Sequence, residues 1–97
     1  MEVSKEILQE VENLAGLFMT PEKIAVIVQI PLPAFMRMLQ EPGNPVAVSF
    51  KKGYLLRESK LRKEVLDLAE RGSSPAQTLG VSMMNEFHAD LTKNLMD

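Results

Sequence analysis

TPEKIAVIVQIPLPAFMRML, residues 20 to 39, spaces its apolar side chains as a helix-turn-helix does, and this stretch decides how the fold is read. Ile24, Ala25 and Val28 fall on one face of a first short helix. Ile30 falls in the turn, and Phe35, Met38 and Leu39 line the inner face of a second helix. Two short helices with such faces can cross and bury one seam. Thr20 offers an N-cap oxygen, and Pro21 suits the first helical position, where its missing N–H costs nothing. Pro31 and Pro33 forbid the first helix from running on, because each biases the residue before it away from αR.

Outward from this stretch the pattern stays helical. Val3, Ile7, Leu8, Val11 and Leu14, with Leu17 extending the series, predict an amphipathic helix over residues 3 to 15 that ends near Gly16 and packs on the two short helices. EPGNP at 41 to 45 closes the second short helix, and Asn44 followed by Pro45 repeats the start signal of Thr20 and Pro21. From Val46 to Arg71 the residues favour helix, with Leu55, Leu61, Val65, Leu68 and Ala69 approximating one stripe. Gly53 is the weak point, costing about 1 kcal/mol against alanine in a helix interior. Gly72 can close that helix in αL, and Ser73-Ser74-Pro75 starts a last helix carrying Ala76, Leu79, Met83, Phe87, Leu91 and Leu95. The expected fold class is all-α: a helix-turn-helix unit over residues 1–42, then a long antiparallel hairpin over 43–97 with residues 54–71 facing 75–95.

Composition narrows the functions. With 97 residues, 45% apolar and 25% charged, the chain is a small globular one, and no apolar run approaches the roughly 18 to 20 residues a membrane span needs. The N-terminus is acidic and amphipathic, without the basic start or apolar core of a secretion signal, so a cytoplasmic location and no membrane partner are expected. The absence of cysteine removes disulfides, thiolate metal sites and cysteine nucleophiles. His88 is the single histidine, the glycines form no phosphate loop, and the carboxylates between 58 and 70 alternate with cations as on a solvated helical face. No catalytic residue, metal ligand or cofactor is expected.

The net charge is −2, but it is unevenly placed: residues 51–63, KKGYLLRESKLRK, carry +5 while the remainder is acidic. Lys51, Lys52, Arg57, Lys60, Arg62 and Lys63 are therefore candidate phosphate contacts, whose binding should weaken steeply with salt. On the second short helix the outward positions hold Leu32, Ala34, Met36, Arg37 and Gln40, of which Arg37 and Gln40 alone can hydrogen-bond base edges. Double-stranded DNA is the expected partner on this reading. A dimeric helix-turn-helix regulator and a protein-interaction adaptor that docks through Leu32 and Met36 without touching DNA remain alternatives.

The order of a helix-turn-helix followed by SFKKGYLLRESKLRKEVLDLAERGSSPAQTL (49–79) resembles the small terminase subunits of tailed phages and prophages. TPEKIAVIVQIP (20–31), FKKG (50–53) and LRKEVLDLAERGSSPAQ (61–77) carry the resemblance. It implies a subunit without a catalytic site, whose helix-turn-helix engages viral DNA and whose helical hairpin assembles into a ring that hands DNA to the large ATPase-nuclease subunit. By that resemblance Arg37 and Gln40 would contact DNA, while Leu61, Val65, Leu68, Leu79, Met83 and Phe87 would form the hairpin and assembly seam. The apolar outer surface of the second short helix departs from a base-reading surface. Independently, apolar stripes too large for a small N-terminal unit to cover favour a homo-oligomer.

Overall fold

The computed structural model describes residues 2–95, which form five α-helices and no strand. These are α1 (Lys5–Ala15), α2 (Pro21–Val28), α3 (Leu32–Gln40), α4 (Pro45–Glu70) and α5 (Ser74–Leu95). The chain divides into two compact units, residues 1–58 and 59–97, with the boundary inside α4.

Helix starts follow the capping chemistry. Ser4 Oγ accepts from the Ile7 N–H at 3.2 Å, so α1 begins two residues later than its apolar spacing suggested. Thr20 Oγ1 accepts from Lys23 N–H at 3.4 Å with Pro21 in the first turn of α2. Asn44 Oδ1 accepts from Val46 N–H at 2.9 Å, and Ser73 Oγ from Ala76 N–H at 3.4 Å. Each bond satisfies an amide that the helix itself leaves without a partner.

The helix ends are less obvious from sequence. Three share one motif, in which an αL residue turns the chain and two amides reach back to the last carbonyls. After α4 this residue is Gly72, whose φ is +99°, with Ser73 N–H on Leu68 O and Gly72 N–H on Ala69 O, both at 3.1 Å. After α2 it is Gln29, with φ 59°. α1 ends at Ala15 with Gly16 as its C-cap, as expected; Gly16 has αR geometry, and the αL residue after it is Phe18, with φ 60°. Glycine carries no penalty in αL, whereas phenylalanine and glutamine meet one of about 1–2 kcal/mol.

The core lies in the first unit. Val11, Ala15, Ile24, Ala25, Val28, Ile30, Phe35 and Val46 form one buried cluster, drawing on α1, α2, the turn, α3 and the first turn of α4. The seam of α2 with α3 is therefore as the spacing required, with Met38 and Leu39 half-buried against it. Leu17 does not join α1's apolar face; it is exposed beside Phe18.

Gly53 does not break α4, which is continuous from Pro45 to Glu70. Its role is contact. A Cβ there would run into the Glu12 carbonyl oxygen, and one on Gly16 would sit 3.3 Å from the Gly53 carbonyl oxygen. The two glycines let α1 and α4 touch backbone to backbone. Lys52 Nζ lies 3.7 Å from Glu12 Oε1, and Arg57 Nε donates to the Gly16 carbonyl at 2.9 Å, so polar side chains flank the contact.

Candidate nucleic-acid interface and assembly surface

In the first unit α3 is held by Phe35, leaving Leu32, Met36, Arg37 and Gln40 exposed, and Arg37 and Gln40 make no side-chain hydrogen bond or ion pair among the described residues. Leu32, Pro33 and Met36 thus share the exposed surface of this nine-residue helix with Arg37 and Gln40, while Ala34, expected to face outward, is half-buried against the core.

The basic run is not one stripe. In the first unit Lys52 lies about 100° round α4 from Lys51, and Arg57 about 120° the other way, at 3.6 residues per turn. Lys52 faces Glu12 and Arg57 is committed to the end of α1, so both have structural duties. Lys51 is exposed, makes no ion pair among the described residues, and lines a concavity together with Gln40 and Tyr54. Two candidate contacts eleven positions apart in sequence therefore converge.

In the second unit Lys60 is exposed and Arg62 half-buried, while Lys63 Nζ bonds Asp67 Oδ2 at 2.8 Å, four residues along the helix. That hydrogen bond and the opposite charge raise the Lys63 ammonium above its ordinary 10.5. The same bond holds the Asp67 carboxyl below its ordinary 3.8. The lowered carboxyl favours folding above its unfolded pKa, and that contribution is lost as pH falls through the lower folded value. The raised ammonium contributes below 10.5 and loses its effect as pH climbs through the higher folded value. Lys63 is exposed and Asp67 is partly open to solvent, so salt screens the pair. Lys63→Gln should return the Asp67 titration, followed by NMR of its carboxyl carbon, upward to the ordinary range; an unmoved titration would disprove the pairing in solution.

The expected assembly residues separate into classes. Val65 and Met83 are half-buried within the second unit, whereas Leu61, Leu68, Leu79 and Phe87 are exposed, Phe87 by 59%. The apolar stripe expected along α4 is correspondingly narrower: Val65 and Ala69 are half-buried, and Leu55, Leu61 and Leu68 are exposed. On α5, Ala76 is buried, while Phe87 and Leu91, within about 60° of the same side, are exposed. The side chain of Leu95 falls outside the described residues.

Leu66, Val81 and Met84 lie off the apolar stripes that the spacing marks, and they too are exposed. They line one shallow groove with Gly80, where α5 approaches α4 closely enough that a Cβ on Gly80 would lie 3.3 Å from Leu66 Cδ2. Leu61 and Leu68 lie about 140 to 160° round α4 from Leu66, and Leu79 lies equally far round α5 from Met84 and Val81. The second unit thus has an apolar flank on each of two opposite sides. No contiguous set of buried contacts covers either: each of these six side chains is between 46% and 55% exposed.

No protein-family model matches the chain, and neither does any curated protein or solved structure. No helix of the described residues is long and apolar enough to cross a membrane. Among those residues no group of three or more His, Cys, Asp or Glu side chains is placed to hold a metal ion.

Proposed function

We propose that this chain is a non-enzymatic DNA-binding and assembly protein of the small-terminase-subunit kind, recognising phage or prophage DNA for packaging. The observation that carries the reading is the α2–α3 seam, which buries Ile24, Val28 and Phe35 and leaves Arg37 and Gln40 of α3 free to enter a major groove. The resemblance of residues 20–79 supports the same reading. A single subunit offers few base-reading groups, so affinity would come from repetition of the contact around an oligomer.

Two apolar flanks on opposite sides suit that oligomer. A subunit with one sticky patch closes into a dimer, whereas two different patches join head to tail and close into a ring when the rotation permits. On this reading the hairpin of α4 and α5 forms the ring wall, and a large ATPase-nuclease subunit is the downstream partner.

Light scattering on the purified protein should give a closed assembly of several subunits, and duplex binding should fall strongly between about 50 and 200 mM salt. Reversing charge at Lys51, Lys52, Lys60 and Lys63 should abolish that binding. A discrete dimer protecting two half-sites about 34–36 Å apart would instead establish the regulator. The adaptor reading has one observation in its favour, the exposure of Leu32 and Met36 by 39% and 37%. A monomer indifferent to the charge reversals would establish it.

A further inference from the structure

The concavity shared by Gln40, Lys51 and Tyr54 goes further than the separate contacts. Its walls are carbon, chiefly Leu39, Pro42 and Val48, and its polar side chains are few and different: the Gln40 amide, the Lys51 ammonium, the Tyr54 phenol and, at one end, the Glu41 carboxylate. That combination of an apolar wall with a few convergent polar groups is how small binding sites are built. Tyr54 is half-buried, and Phe50 meets its ring edge-on with centroids 5.6 Å apart and planes at 71°. Its ring direction is thereby restricted, and little side-chain freedom remains to be lost on binding.

Charge identifies the occupant. Of the three first-unit cations in the basic run, Lys52 faces Glu12, Arg57 holds the end of α1, and Lys51 alone stands at the concavity. Glu41 also lines it, with its Oε2 accepting from Asn44 Nδ2 at 2.9 Å. A phosphate would be repelled from the Glu41 end and drawn to Lys51 and Tyr54. Gln40 is the last residue of α3, and a helix lying in a major groove has a row of phosphates along its side.

We propose that this concavity anchors one phosphate of the DNA backbone, with the Lys51 ammonium supplying charge and the Tyr54 hydroxyl donating a hydrogen bond, while Gln40 faces the adjoining groove. The proposal rests on the DNA-binding reading and adds to it Tyr54, a residue outside the basic pattern.

The test is fluorescence anisotropy with a labelled random-sequence duplex, measured over a series of salt concentrations. Lys51→Ala should weaken binding and reduce the slope of log affinity against log salt by about one. Tyr54→Phe keeps the ring and its contact with Phe50; it should weaken binding about tenfold at every salt concentration and leave the slope alone, because a hydrogen bond but no charge is lost. Glu41→Gln should strengthen binding by removing the like charge. If Arg37→Ala weakens binding while Lys51→Ala and Tyr54→Phe do not, the anchor is overturned and the DNA-binding reading stands. If Lys51→Ala alone has an effect, the tyrosine's part is overturned. A parent protein that binds no duplex at low salt overturns both.

Discussion

Phe35→Ala should remove about 3–5 kcal/mol from the stability of the first unit. The ring is wholly buried and lies at the meeting of α1, α2, α3 and the start of α4, so its loss leaves a cavity that four elements cannot all close. Chains of this size are stable by roughly 5–15 kcal/mol in total, so a large share of that margin would go. Urea unfolding followed by circular dichroism measures it. A loss below about 1 kcal/mol would mean that Phe35 is not the centre of the core. On the proposed DNA-binding reading, duplex binding should fail with stability and not ahead of it, since Phe35 positions α3 from beneath.

The second large effect is at Gly53, and its sign is the informative part. In an exposed helix interior Gly→Ala stabilises by about 1 kcal/mol. At position 53 the added methyl would be driven onto the Glu12 carbonyl, with the Glu12 carbonyl carbon 2.9 Å away, and backbone cannot swing aside as a side chain can. Gly53→Ala should therefore destabilise by about 1–3 kcal/mol through overpacking, despite the better helix propensity. Separating α1 from α4 would also strain the Lys52–Glu12 pair and the Arg57 bond to Gly16. Gly80→Ala is the control, because the neighbour it would meet is the end of the flexible Leu66 side chain. Its thermal midpoint should hold or rise. A rise for Gly53→Ala as well would show that α1 does not rest on α4.

These two positions also mark what can be read from sequence. Thr20-Pro21, Asn44-Pro45 and Ser73 start helices because capping is decided within three residues, and local chemistry suffices to see it. Phe35 was legible as core from the periodicity around it. Gly16 and Gly53 were not legible in the same way. Gly16 does stand at the end of α1 and Gly53 does not break α4, but what local pattern could not show is that the two meet each other across 37 positions of chain. The αL residue that turns the chain after α1 is Phe18, a residue type that gives no such signal in sequence. On the candidate interface, Arg37, Gln40 and Lys51 stood out singly by residue type. Their grouping did not, because the path of residues 41–44 decides that Gln40 and Lys51 share a concavity and that Tyr54 joins them. Along α4 and α5, a spacing of three or four residues captures Val65, Ala76 and Met83 but passes over Leu66 and Met84, one position off, and Val81, two positions off.

On the ring reading proposed above, the opposed flanks of the second unit have a genetic consequence. A Leu79→Glu chain would keep the Leu66, Val81 and Met84 flank intact while spoiling the other, so it could join a growing assembly at one end and offer nothing to the next arrival. Expressed alongside the parent chain, a minority of such subunits would stop closure in most particles and act dominantly, whereas a variant crippled on both flanks would be excluded and behave as recessive.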